Sequence, residues 1–180
     1  DRSRIEWLLT QTDKPTAARL RKLFPAERHA GRDLVIARFK SALITSGDAK
    51  RGRKVYERVC AACHQRGDLG KAIGPPLNDT ARRTADALLI DILDPNRQLK
   101  PLFQNYVLHT SDGRVHSGMI TEETSNAVRL QKADGTSREV LRIQIETLNS
   151  TGVSFMPEGL EKTINEQEMA DLFKFLAVRP

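Results

Sequence analysis

The stretch Cys60-Ala61-Ala62-Cys63-His64 decides how this chain is read, because two thiols three residues apart with a histidine directly after them form the attachment signature of a c-type haem. On a helical turn, positions i, i+3 and i+4 share one face, so Cys60, Cys63 and His64 all address the same flat ligand. The two thiols add covalently to the vinyl groups of the porphyrin, and the imidazole bonds the iron. Two other uses of such a pair stand beside this one. A closed zinc site wants four ligands, and with only 2 cysteines in the chain, histidines elsewhere would have to complete it. A thioredoxin-like redox pair belongs in a βαβ pattern, which does not surround these residues, and that chemistry makes no use of His64.

Composition fits a compact chain built around such a site. With 180 residues, 39% of them hydrophobic, it can bury one ordinary core or two small ones. No apolar run approaches the length that spans a bilayer. The opening residues Asp1-Arg2-Ser3 do not read as a signal peptide. Covalent haem loading takes place outside the bacterial cytoplasm, so the expectation is a precursor with an export signal and a periplasmic or otherwise extracytoplasmic protein. With both cysteines assigned to haem, none is left for a disulfide. The net charge of +6 makes an acidic protein partner or an anionic surface plausible. Nucleic acid fits less well, since the basic residues are spread along the chain and aromatics are 5% of it.

Residues 1–46 read as helical. Pro15 after Asp13 suits a helix start, and Leu20, Leu23 and Phe24 follow at helical spacing until Pro25 interrupts them. A second run sets Leu34, Val35, Phe39 and Leu43 in a broad apolar stripe between Arg32, Arg38 and Lys40. His29 lies in a polar stretch and reads as a solvated side chain. Ser46-Gly47-Asp48 then breaks the pattern and offers an N-cap to a helix running through Gly52 and Tyr56 toward Cys60. After His64, the prolines of Gly74-Pro75-Pro76-Leu77 stiffen a loop that can hold a carbonyl against the imidazole. A helix over 84–93 follows, with Leu88, Leu89, Ile92 and Leu93 on its inner side and Asp94-Pro95-Asn96 ending it.

Near residue 104 the hydrophobic period changes from helical to alternating. If Asp112-Gly113 forms a two-residue turn, Tyr106 faces Met119, Leu108 faces Ser117, and His109 faces His116 on the opposite side. Two facing histidines raise a metal site, although without a third ligand they are a surface pair. A second hairpin is expected about Asp134-Gly135, and a further strand over 143–145, giving four or five strands in a barrel-like or curled sheet. The chain is expected to leave that sheet through Ser150-Thr151-Gly152. Of the 3 methionines, Met119 falls on a strand face and Met169 on the stripe of a last helix, which Asn165 and Glu168 start with a capping box. Met156 is left in an irregular segment backed by Pro157, where its thioether is the candidate second axial ligand. A histidine there, or an open position, are the alternatives.

Gly52, Tyr56, Cys60, Cys63, His64, Gly74-Pro75, Leu77, Met156-Pro157 and the helix over 171–176 resemble a class I cytochrome c domain, across residues 47–178. The interposed sheet, Ile92-Leu93-Asp94-Pro95-Asn96 and residues 152–160 resemble more narrowly the planctomycete-type haem-binding domain. That module usually ends larger secreted proteins, after helical repeats or a dehydrogenase-like propeller. The resemblance implies thioethers at Cys60 and Cys63, axial ligands at His64 and Met156, and Pro75 supporting the proximal histidine. It also places Gly52, Tyr56 and Phe175 where the first and last haem-domain helices cross.

The expected fold is therefore mainly α: a class I cytochrome c core over 47–178 with an inserted antiparallel β subdomain over 104–149, preceded by an N-terminal helical segment over 1–46 that can be the end of a larger helical domain. The expected function is covalent binding of one haem c and one-electron transfer to or from a protein partner. Such a module is not itself an enzyme, though it can be fused to or partner a dehydrogenase. Arg51, Arg53, Lys54, Arg58, Arg66 and Lys71, all near the haem motif, are candidates to steer an acidic partner. The alternative is a haem-based gas or redox sensor with a displaceable distal ligand. A peroxidase would need a distal acid-base residue, and none presents itself.

Overall fold

A computed structural model describes residues 2–23 and 27–178, with side chains described over 7–21 and 31–178. The described helices are α1 (Arg2–Gln11), α2 (Lys14–Leu23), α3 (Glu27–Phe39), α4 (Ala49–Val59), α5 (Ala85–Leu93) and α6 (Glu166–Ala177). Between α5 and α6 lie β1 (Gln104–Thr110), β2 (Val115–Glu123), β3 (Ala127–Gln131), β4 (Ser137–Leu141) and β5 (Ile145–Ser154). The break expected at Phe24 and Pro25 falls on residues outside those described, and the solvated reading of His29 on a side chain outside those described.

One apolar cluster joins α3, α4, α5 and α6 through Phe39, Tyr56, Leu89, Leu93, Met169, Leu172 and Leu176. Each such side chain, fully buried, contributes about 1.5–3 kcal/mol. In α3 the inward stripe differs from the expected one. Ile36 and Phe39 are buried, whereas Leu34 is 76% exposed, because the helix turns Leu34 away from the face that carries Ile36 and Phe39.

The crossing of α4 and α6 is built from backbone approach. A Cβ on Gly52 would lie 1.9 Å from the Asp171 carbonyl oxygen, so only glycine lets the helices meet there. Tyr56 and Phe175 stack across the same crossing, with ring centroids 5.4 Å apart. Asp48 caps α4 by accepting from the Arg51 N–H, and its own N–H donates to the buried Asp171 carboxylate at 2.7 Å. The capping box of α6 forms as the sequence indicates: Glu168 N–H donates to Asn165 at 2.9 Å and Asn165 N–H to Glu168 at 3.0 Å.

The sheet has strand order β4-β3-β2-β1-β5, all antiparallel, and its own apolar cluster of Leu108, Val128, Leu130 and Val140. Its first hairpin is shifted by one residue from the two-residue expectation. Leu108 pairs with His116, and His109 with Val115. A two-residue type I′ turn needs positive φ at both Asp112 and Gly113, but only Gly113, at φ 81°, is positive. The loop is thus three residues long and closes with Thr110 N–H donating to the Arg114 carbonyl at 2.9 Å. A one-residue slip moves every β2 side chain to the other face. Met119 remains buried, but on the face away from Leu108, and His109 and His116 point to opposite sides of the sheet.

Two further expectations change. The segment over 142–144 is a short 3-10 turn, so the last strand begins at Ile145, and it runs through Ser150-Thr151-Gly152 to pair Ser154 with Gln104. The mainly-α class does not hold either. Among the described residues a five-stranded antiparallel sheet with a core of its own stands beside the helices, so the fold is α+β.

Candidate haem site

The α4 helix ends at Cys60, whose N–H still donates to the Tyr56 carbonyl, and the chain then curls so that the Cys63 and His64 N–H groups both donate to the Cys60 carbonyl. This brings the two thiols and the imidazole into one turn. Neither cysteine is in a disulfide. Burial pushes the Cys60 thiol up to about 12, with the neighbouring Cys63 adding to the effect, so Cys60 is a neutral thiol in the folded chain.

The loop after His64 is stapled to that turn by backbone bonds. Ile73 and Gly74 N–H groups donate to the Cys63 carbonyl at 3.0 and 2.7 Å, and the Lys71 N–H donates to the Ala61 carbonyl at 3.0 Å. They bring the Pro75 carbonyl to 2.8 Å from His64 Nδ1. A carbonyl only accepts, so Nδ1 carries the proton and the lone pair lies on Nε2. Burial lowers the His64 pKa, partly offset by that bond to Pro75, which keeps the ring neutral. The ring lies flat against Gly74, where an added Cβ would sit 2.8 Å from Cε1 and 3.0 Å from Nδ1. Tyr56 fixes the other side by donating its hydroxyl to the His64 carbonyl at 2.6 Å, and burial, its pKa raised to about 12, keeps that hydroxyl protonated.

Met156 lies in the irregular residues between β5 and α6, half-buried, with its N–H donating to Ser154 Oγ at 3.1 Å. Phe155 N–H donates to the Phe103 carbonyl at 2.8 Å, which ties this segment to the entry of the sheet. Met169 is in the helical core, and Met119 is in the sheet. Zinc finds less support: among the described residues no three His, Cys, Asp or Glu side chains gather as a metal site. The Nε2 lone pair, the paired thiols and the close seat that Gly74 leaves for the imidazole fit a haem.

Of the six basic residues expected to steer a partner, Arg66 is 3% exposed and faces inward. It donates to the Phe175 carbonyl at 3.0 Å and to the carbonyl of Val178, and its guanidinium stacks 4.7 Å over the Phe175 ring. It therefore closes the C-terminal end of α6. Nothing in the local sequence marks that role, since its partners lie 109 to 112 residues away. Arg51, Arg53 and Arg58 are paired with Asp171, Glu57 and Glu168.

A helix ending in two thiols and a histidine, a carbonyl-backed loop after them and a last helix crossing the first agree with a cytochrome c-type domain, a class of domain that binds haem and carries electrons. Residues 47–105 match the family model of cytochrome C oxidase, cbb3-type, subunit III. The match takes in α4, the haem turn, the proximal loop and α5, and it stops as the sheet begins, so Met156 and α6 lie beyond it. A comparison with curated proteins finds no match. No helix among the described residues is long and apolar enough to cross a membrane.

Proposed function

We propose that this chain carries one haem c, bound through Cys60 and Cys63, and passes single electrons between protein partners in an extracytoplasmic compartment. His64 Nε2 is the proximal ligand and Met156 Sδ the distal one. The iron supplies the redox change, and the protein sets its potential and its access to solvent. The observation that carries this reading is the 2.8 Å bond from His64 Nδ1 to the Pro75 carbonyl, which fixes the tautomer and turns the basic nitrogen outward from the loop. Thioether ligation raises the potential relative to a second histidine, which suits an acceptor of electrons that hands them on. The partner is a redox protein, either separate or a dehydrogenase joined to this module, and of the six basic residues near the haem motif Lys54 and Lys71 are the ones to meet an acidic surface. Absorption spectra of both redox states, with and without carbon monoxide, test it. A weak far-red sulfur-to-iron band in the oxidised protein and no carbon monoxide adduct in the reduced one are expected.

The continuity of β5 with the Met156 segment favours a second reading, a gas or redox sensor in which movement of the sheet displaces the thioether. A carbon monoxide adduct formed at neutral pH by the unaltered protein selects it.

A further inference from the structure

The Asp94-Pro95-Asn96 turn that closes α5 has no part in haem attachment, yet its last side chain reaches the segment around Met156. Asn96 Oδ1 accepts from the Ser154 N–H at 2.6 Å, and Asn96 Nδ2 donates to Glu158 Oε1. Residues two before and two after Met156 are thus held by one planar amide, whose carbonyl accepts while its NH2 group donates. Glu161, just beyond, is gripped from α3. Arg32 Nη1 and Nη2 donate to its two carboxylate oxygens, each at 2.9 Å, while Arg32 Nε donates at 2.7 Å to the Leu93 carbonyl at the end of α5. That pair is only 12% and 9% exposed, so water competes little with its forked geometry. No helix or strand covers residues 155–159, and beyond the backbone bond from Phe155 N–H to the Phe103 carbonyl it is side-chain bonds that fix them.

We infer that Asn96 and Arg32 form a latch on the segment 154–161 and are positioning residues for the Met156 sulfur. This rests on the ligand assignment proposed above. The latch sets how often the thioether swings off the iron, and an exogenous ligand binds in proportion to that open fraction. It also gives α3, in the N-terminal helical segment, a part in the haem site.

The test uses the full haem-loaded chain and reads carbon monoxide uptake by the reduced protein, the far-red band of the oxidised protein and thermal melting. Asn96→Ala and Arg32→Ala should each speed carbon monoxide uptake by about tenfold or more and weaken the far-red band. Arg38→Gln, which breaks an exposed ion pair between the same helix and Glu166, should change neither. If Arg32→Ala does not accumulate folded, Glu161→Gln loosens the same pair from its other end with little change in volume. A latch with a purely structural role would lower melting in Asn96→Ala while leaving both spectral readouts as in the parent, and that result overturns the inference while Met156→Ala still abolishes the band. Should Met156→Ala itself keep the band and resist carbon monoxide, the ligand assignment and the latch fall together.

Discussion

On the ligands proposed, the two sides of the haem site are held by different means. His64 is fixed by neighbours in sequence, Tyr56 eight residues before it and Pro75 eleven after, with backbone bonds closing the loop between them. Met156 is fixed by side chains far along the chain, with the Asn96–Ser154 bond spanning 58 residues and the Arg32–Glu161 pair 129. The proximal side is therefore preorganised by local chain geometry, whereas the distal side depends on the whole fold being in place. Chemistry on the proximal side is hard to alter without losing the site, and the distal side is where ligand strength can be tuned.

The most severe way to break the proximal side is Cys60→Ser with Cys63→Ser. Covalent haem should be lost entirely, read as absence of haem staining after denaturing electrophoresis, because the pair is the only thiol set in the chain. Next comes Gly74→Ala. Its methyl would meet the His64 ring at 2.8 Å, so the ring or the Pro75 loop must move, at a cost of about 2 kcal/mol or more in chemical denaturation of the haem-loaded protein. By contrast, Met156→Ala should retain haem and cost less stability than Gly74→Ala while removing the far-red band. The reverse ranking would mean that the distal side, not the proximal one, is the rigid one.

A smaller effect sharpens the comparison at the helix crossing beneath His64. Arg51 beside Asp171 holds that carboxyl below its ordinary value of 3.8, so the folded chain takes up a proton there less readily than the unfolded chain does. The stabilisation is complete above pH 3.8 and is lost as pH falls through the lower folded value. Asp171→Asn should cost about 2 kcal/mol at neutral pH, discounted for the exposure of Arg51, and should flatten the acid limb of a melting-temperature profile. A parent-like acid limb in the variant would show that the crossing does not depend on this charge. The smallest effect belongs to Lys54→Glu and Lys71→Glu. Both should leave melting within about 0.5 kcal/mol of the parent and slow association with an acidic partner most at low salt.

What was legible in the sequence follows the same division. The haem turn, the carbonyl offered by the Gly74-Pro75 loop, the helix over 84–93 and the Asn165–Glu168 box are all set by residues within a few turns of one another, and each appears where the spacing puts it. The hairpin register was not legible, because Asp-Gly serves two-residue and three-residue turns alike, and the backbone at Asp112 chooses between them. Arg66 carries no local sign that it turns inward, since its partners are the carbonyls of α6. Leu34 fits an apolar stripe as well as Ile36 does, and only the neighbours of α3 decide which of them is covered. The extent of the sheet was underestimated for a similar reason: residues 150–154 read as polar turn chemistry, but pairing with β1 holds them in a strand.

The crossing of α4 and α6 also imposes an order of events. The Arg51–Asp171 bond joins residues 120 apart, and Arg66 waits for carbonyls nearly as distant, so during synthesis the haem turn is complete long before the helix that covers it exists. The bonds from Arg66 to the α6 carbonyls and the contact of Tyr56 with Phe175 are therefore among the last to form, so arrival of the C-terminal helix is what completes the packing around the turn.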